Sequence, residues 1–369
     1  MSKPIRVLHV VVNMNRGGAE TLIMNLYRNI DRSKVQFDFL TCKVGVFDQE
    51  IKELGGTIHR IPYINEVGHF SYIKALNNFF SKHNDYTIVH SHLNRMSGLV
   101  VKAAKKMGIQ YCISHSHNTG GEGGILAKGY KWYSGLYIPS NSDYTFACSE
   151  SAAKWLFGSK ANDAKLLNNG IEPEMFTYSP DIRMTKRKEL GISDQLVIGH
   201  VGRFTKQKNH KFLIEIFAGF VKRRPNSILL LCGDGVLRKD IEKRVNELNL
   251  KEKVKFLGVR SDINQLLQAF DLFLFPSLHE GLPVTLIEAQ AAGIPCFISA
   301  EITNEVDLDL GLMKFINISG IDLWVTELEK FNVEKVERHT SKFKKLRDRG
   351  YDIKNTAEWL QDFYISNSR

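Results

Sequence analysis

The stretch His279 to Gly293, HEGLPVTLIEAQAAG, sets two carboxylates, Glu280 and Glu288, into an otherwise almost wholly apolar segment. An ionised carboxylate buried without a partner costs several kcal/mol, so a chain that keeps one there pairs it internally or offers it to a ligand. Pro276 and Ser277 close the apolar run DLFLF, and Pro283 suits the first turn of a helix that runs to about Ala292 and is stopped by Gly293 and Pro295. Glu280 then falls in the preceding turn, while Glu288 shares a helical stripe with Val284, Ile287 and Ala291 and faces the apolar side. Upstream, HVGRFTKQKNH places Arg203 and Lys208 in a turn between an apolar strand and a helix starting near Asn209. Two cations so spaced beside a helix N-terminus suit a pyrophosphate clamp, a solvated basic loop being the plainer alternative. A carboxylate next to such a clamp is suited to accept two hydrogen bonds from a ribose diol.

Four other motifs are less specific. In NMNRGGAET, Gly17 and Gly18 follow a strand and open a helix, which lets backbone N–H groups approach an anion or simply makes a tight turn. The strand ends TIVHSH and CISHSH each carry two histidines, His90/His92 and His115/His117, and alternation sends both members of a pair to the same side. His-x-His at a strand end could ligate zinc or iron, but no third ligand is marked out in the sequence, which argues against a metal hydrolase. CGDG, with Gly233 and Gly235, reads as just a turn, and Asp307-Leu308-Asp309, the one Asp-x-Asp, reads as incidental.

These motifs need strands to deliver them. Short β-branched runs alternate with helical patterns from RVLHVVV to SAAKWLF, and the alternation restarts from QLVIGHVGR to PCFIS, predicting an α/β chain with two Rossmann-like parallel sheets. Between them, Asn168 to Asp181 has two prolines, a glycine and no period, and reads as an interdomain linker. The expected domains are 1–172, 173–350 and a final helical segment, 351–369. The glycine-rich stretch Thr119 to Gly135 reads as a mobile loop followed by an amphipathic segment.

The 369 residues carry a net charge of +10, which favours an anionic partner such as a nucleotide phosphate or an acidic membrane surface. No basic run is interleaved with aromatics, so nucleic acid is not an expected partner. Five cysteines without CxxC spacing are expected to be buried thiols. The apolar run near the N-terminus is too short for a signal peptide or a membrane span, which makes the cytoplasm the expected compartment.

With Gly17-Gly18, Arg203, Lys208 and the Glu280-x7-Glu288 segment in place, the chain resembles the retaining glycosyltransferases of the GT-B fold, in particular the family 4-like group that includes bacterial capsular and exopolysaccharide enzymes. The resemblance implies two Rossmann-like domains facing each other across a cleft, with the final helix crossing back to the first. It implies transfer of a sugar from a nucleoside-diphosphate donor, uridine by family precedent, to a saccharide or polyprenyl-diphosphate-linked acceptor, without metal or other cofactor. Glu288 would hold the ribose and Glu280 would sit by the donor sugar, with Gly281, Leu282 and Pro283 orienting its hydroxyls. Arg203 and Lys208 would neutralise the diphosphate, and Gly17-Gly18 would close on it. His117, or else His115, would lie beside the anomeric carbon. The segment Ile125 to Ile138 could rest on an anionic membrane at the inner face of the plasma membrane. A sugar-nucleotide epimerase or hydrolase of the same fold, and a non-catalytic GT-B partner protein, are the competing readings.

Overall fold

The computed structural model describes residues 3–120, 124–332, 338 and 343–368. The chain divides into two compact units, one formed by 1–170 with 350–369 and the other by 171–349. Gly121, Glu122 and Gly123, the centre of the expected glycine-rich loop, lie outside the described residues.

The first unit is built on seven strands: β1 (Ile5–Val10), β2 (Val35–Thr41), β3 (Ile58–Arg60), β4 (Ile88–Ser91), β5 (Tyr111–Ser116), β6 (Tyr144–Ala147) and β7 (Lys165–Leu166). They lie in the order β3-β2-β1-β4-β5-β6-β7, all parallel. Period-two alternation loads both faces. Leu8, Val10, Leu40 and Val89 enter one core cluster, and Val7, Phe37, Ile88 and Ile113 enter another. The second cluster is completed by the helix Ile353–Ser366, whose Ile353, Ala357, Leu360 and Tyr364 are fully buried there. Asp38 on β2 is also fully buried, where it accepts hydrogen bonds from Arg6, from the backbone of Thr57 and from the Tyr86 hydroxyl.

The second unit has six strands: β8 (Leu196–Val201), β9 (Ser227–Cys232), β10 (Val254–Gly258), β11 (Leu272–Phe275), β12 (Cys296–Ser299) and β13 (Met313–Ile316). Their order, β10-β9-β8-β11-β12-β13, is again wholly parallel. In both sheets the strand order reverses at the first strand, between β1 and β4 and between β8 and β11. Open parallel sheets bind ligands beyond the carboxyl ends of the strands at such a reversal, where successive loops turn away to opposite faces.

Several expectations change. β7 and β13 are unpredicted edge strands, β7 being exposed and β13 mixed in burial, so neither shows an apolar run. The helix Ile64–Lys82 starts earlier than its periodicity indicates and is interrupted at Gly68, where φ is 75°. Cys42 is half-buried rather than buried, since it stands one residue beyond the end of β2, whereas the other four cysteines are buried. The stretch 168–181 is well anchored, with Ile171 and Phe176 buried and the carbonyls of Phe176 and Thr177 each 3.3 Å from the Gln268 amide that donates to them. Asp309 pairs with Arg349.

The reversal in the second sheet is secured by Asp271, 5% exposed at the start of β11. It accepts from the backbone N–H of Val197 at 2.7 Å, from Arg183 at 2.6 Å and from Arg187 at 3.3 Å. Replacing one member of a buried ion pair strands its partners, a loss of about 3–5 kcal/mol. Asp271→Ala is therefore expected to lower the unfolding free energy of the second unit, measured by urea titration, by that order, whereas Lys243→Ala, which breaks an exposed pair with Glu247, changes stability by less than about 1 kcal/mol. Equal effects of the two substitutions would contradict this assignment.

Candidate functional site

In the second unit, the loop that follows β8 and the loop that follows β11 are stitched together. Leu278 N–H donates to the carbonyl of Gln207 at 2.8 Å, and the Gln207 amide donates to the carbonyl of His279 at 2.8 Å. Asn209 enters the left-handed region at φ 54° to start the helix His210–Arg223, and its amide donates to the Pro276 carbonyl at 3.2 Å. Lys208 reaches across to Glu280, Nζ to Oε1 at 2.7 Å, and its ammonium lies 4.5 Å from the centre of the Phe275 ring. Arg203 is exposed, and its guanidinium has no hydrogen-bond or ion-pair partner among the described residues. Lys208 is thus a cation held in place, and Arg203 a cation free to meet a ligand.

Gly233 has a structural reason that the sequence reading missed. Its φ is 135°, and a Cβ there would stand 2.1 Å from the carbonyl oxygen of Gly202. A Cβ on Gly235 would stand 2.7 Å from the Phe204 carbonyl oxygen. The loop after β9 therefore packs backbone to backbone under the Arg203 loop, and Phe204 N–H donates to the Asp234 carbonyl at 3.0 Å. The CGDG segment is part of the site's floor rather than an independent turn.

Pro283 caps the helix Val284–Ala291, one position earlier than expected. Glu280, Gly281, Leu282 and Pro283 are all buried in the preceding turn. Glu288 sits in a recess, partly exposed yet densely surrounded, and burial pushes its carboxyl up to about 7. It has no hydrogen-bond or ion-pair partner among the described residues. Cys232, at the end of β9, is lifted to about 11 by burial, and the Glu288 carboxylate is near enough to add to that rise. Cys232 pairs in register with Val201, two residues before Arg203, so Glu288 and the basic loop belong to one neighbourhood. The rise of Glu288 from its ordinary glutamate value corresponds to a penalty on the order of 3 kcal/mol for the ionised form. The folded state holds this proton more tightly than the unfolded one, so the penalty grows as pH rises from the unfolded value and is complete above about 7. A carboxylate that costs its own fold stability and has no partner among the described residues is a candidate ligand-binding group.

In the first unit, Gly17 caps the helix Gly18–Asn29 after β1. A Cβ on Gly18 would meet nothing within 4 Å, so the protein's own packing does not require glycine at this exposed helix start. In the same sheet, strand alternation puts His9, His90, His92, His115 and His117 on the face packed by the helix Ile353–Ser366, whose Tyr364 meets His9 and His90. The rings form a layer. His90 stacks on His92 with centroids 4.2 Å apart, and His115 on His117 at 3.9 Å. His115 is fully buried, whereas His117, just past the end of β5, is partly exposed; of the two, His117 is the one that the strand end presents. Burial pushes His117 down to about 3.

The third ligand that the sequence does not mark out is present in the structure. Neighbouring strands supply one, and the donor atoms of His92, His115 and His117 lie within 4.8 Å of one another, as do those of His9, His90 and His92. The nitrogens are nevertheless turned to each other. Both nitrogens of His92 are engaged, one with His9 Nδ1 at 2.9 Å and one with His117 Nε2 at 2.9 Å. His9 was overlooked as a site neighbour; the signal is its register on β1, opposite His90 of β4.

Comparison with known proteins accords with this geometry. Residues 16–175 match the model for Glycosyltransferase Family 4, and residues 182–307 that for Glycosyl transferases group 1. The chain is 37% identical over 373 residues to EpsF of Bacillus subtilis (strain 168), a glycosyltransferase by assignment, covering 97% of this chain and 96% of that one. It is 28% identical over 309 residues to the Escherichia coli UDP-Gal:alpha-D-GlcNAc-diphosphoundecaprenol alpha-1,3-galactosyltransferase, covering 77% and 76% of the two chains. Anabaena Alr3699/HepE, solved with UDP and glucose, superposes with a TM-score of 0.82 at 18% identity, over 97% of this chain and 99% of that one. Matched over both units and along nearly the whole of its relative EpsF, the chain belongs to the glycosyltransferase family whose members carry the family 4 and group 1 domains on a GT-B fold.

Proposed function

We propose that the protein is a metal-independent, retaining hexosyltransferase that moves a sugar from a uridine diphosphate donor to a polyprenyl-diphosphate-linked saccharide in capsule or exopolysaccharide synthesis. The observation that carries this reading is Glu288, an unpartnered carboxylate in a recess next to a loop bearing one held and one free cation. Glu288 accepts hydrogen bonds from the two ribose hydroxyls, and Arg203 and Lys208 meet the diphosphate. The UDP bound by HepE and the UDP-Gal and diphosphoundecaprenol in the name of the E. coli relative support the choice of donor and acceptor class.

The chemistry follows from charge. Breaking the bond between the anomeric carbon and the phosphate oxygen leaves positive charge on the sugar and additional negative charge on the diphosphate. Preorganised cations at the leaving group offset the second of these, and loss of one such group lowers the rate by roughly 10²–10³. Arg203 and Lys208 supply that charge without a divalent ion. Glu280 fixes Lys208 through their 2.7 Å ion pair and stands by the donor sugar. The acceptor oxygen attacks the face that the diphosphate leaves, and the departing phosphate oxygen takes the acceptor's proton, so no side-chain nucleophile is needed and configuration is retained. His117 lies at the sugar in this scheme, with Gly17 and Gly18 leaving room for the diphosphate at a helix N-terminus. An epimerase would need free acid and base groups at the sugar, and the Glu280 carboxylate is engaged by Lys208.

On the acceptor side, the helix Ile125–Gly135 exposes Ile125 (89%), Leu126 (91%) and Trp132 (58%) along with Lys128. Apolar groups flanked by lysines suit an anionic membrane surface. A pocket of about 420 Å³ adjoins the helix, lined in part by Arg95, Lys128, Lys131 and Trp155, a basic setting for an acceptor diphosphate. Among the described residues no helix is long and apolar enough to cross a membrane, so contact would be peripheral.

Two results are expected. UDP raises the melting temperature in EDTA as well as in buffer, and its affinity for the wild type rises with pH through about 7, falling up to tenfold per unit below it, because only ionised Glu288 accepts both ribose hydroxyls. Glu288→Gln should lack this component, and Glu280→Ala should lower turnover more than UDP affinity; identical pH profiles for wild type and Glu288→Gln, measured by calorimetry, would refute the ribose assignment. Separately, the protein should co-sediment with vesicles containing anionic lipid, and Ile125→Asp with Leu126→Asp should abolish this while leaving UDP affinity intact. Unchanged sedimentation would exclude this helix as the membrane contact.

A further inference from the structure

The histidine layer contains a chain of hydrogen bonds that admits only two proton arrangements. His9 Nδ1 faces His92 Nε2 at 2.9 Å, and His92 Nδ1 faces His117 Nε2 at 2.9 Å. Each imidazole is neutral, since burial holds His9 and His117 near 3 and His92 well below its ordinary value. A neutral imidazole has one N–H and one lone pair, so His92 accepts at one end whatever it donates at the other. Either all three rings carry the proton on Nδ1 and the chain donates outward to His117, or all three carry it on Nε2 and the chain donates inward to His9. Mixed states leave an N···N contact with two protons or with none.

The two ends of the chain differ. His9 Nε2 is buried and unpartnered, in a core where the His9 ring lies 4.1 Å from Phe37 and 5.8 Å from Phe39. The inward arrangement would put an N–H there with no acceptor, and orphaned buried N–H groups are rarer than unsatisfied acceptors. At the other end His117 Nδ1 is likewise buried and unpartnered, so either arrangement leaves one N–H without a protein acceptor; the ends differ in that the His117 residue is partly exposed past the end of β5 while His9 is wholly enclosed. The outward arrangement places the spare N–H at this end and a bare lone pair in the apolar core. Successive donation along the chain also polarises the terminal N–H and strengthens it as a donor.

We propose that His9 and His92 are positioning residues that hold His117 in its Nδ1–H tautomer, so that the outer nitrogen of the layer is a hydrogen-bond donor to a ligand oxygen and not a proton acceptor. The significance for transfer rests on the reading of His117 as a sugar neighbour; the tautomer itself does not. His90 and His115 form a separate branch, with His90 Nδ1 at 2.7 Å from the Tyr364 hydroxyl and His90 Nε2 at 3.1 Å from His115 Nδ1, and among the described residues this branch has no hydrogen bond to His117.

The test is a long-range proton–nitrogen spectrum of the full chain labelled with ¹⁵N-histidine and free of ligand, with His117 assigned by its loss in His117→Asn. His117 should show a protonated Nδ1 and an unprotonated Nε2. In His92→Phe, which removes the donor, the His117 signals should move towards the Nε2–H form that an unconstrained imidazole prefers. A wild-type His117 protonated at Nε2, or an unchanged His117 in His92→Phe, would each overturn the proposal, the first without any variant. UDP binding, measured by calorimetry, tests the donor site and can fail while the tautomer result stands.

Discussion

Two loops that leave neighbouring strands, 202–209 after β8 and 276–283 after β11, are joined by three hydrogen bonds and the Lys208–Glu280 ion pair. Everything attributed to the second unit depends on that stitching. A strand-order reversal sends successive loops apart, and these cross-links bridge the gap between them. With them, Lys208 is fixed, Arg203 is left free at the rim, and the helix Val284–Ala291 starts where Glu288 falls into the recess. Asp271 anchors the same reversal from the opposite end of β11, where the hydrogen bond to Val197 ties β11 to β8.

The two units use opposite electrostatic strategies. In the second, charge is kept at the site: a paired lysine, a free arginine and a carboxylate held near 7 at the expense of stability. In the first, charge is removed. Five histidines in one layer are neutral, and their hydrogen bonds carry direction instead of charge. In the proposed reaction the two arrangements would answer different demands, since a leaving diphosphate calls for cations while a sugar carbon gaining positive charge is repelled by one.

The parts of this arrangement that could be read from sequence are local. Strand-end turns marked by GRFTKQK and HEGLP show themselves because an apolar run stops and a helix pattern begins, so Arg203, Lys208, Glu280 and Glu288 were placed at loop or helix positions without coordinates. What remained hidden is non-local. The Lys208–Glu280 pair joins residues 72 positions apart, and Gly233 looked like an ordinary turn because the backbone that approaches it comes from another loop. His9 looked like a strand residue because its partner, His92, is 83 positions away. No third metal ligand is marked out in the sequence for the same reason, since the histidines that meet stand on neighbouring strands. The edge strands β7 and β13 escaped notice because edge strands need not be apolar on both faces.

The most direct test of the account is a binding comparison made on the ligand rather than on the protein alone. Affinities of UDP and of its 2′-deoxy and 3′-deoxy analogues would be measured by calorimetry for the wild type and for Glu288→Ala at pH 8, above the titration of Glu288. Hydrogen bonds to a charged group contribute about 1.5–3 kcal/mol, so the wild type should lose roughly ten- to a hundredfold in affinity when either hydroxyl is removed. Glu288→Ala should bind all three nucleotides alike. A variant that still discriminates between UDP and its deoxy analogues as strongly as the wild type would show that the ribose is held elsewhere and that the recess around Glu288 serves another purpose.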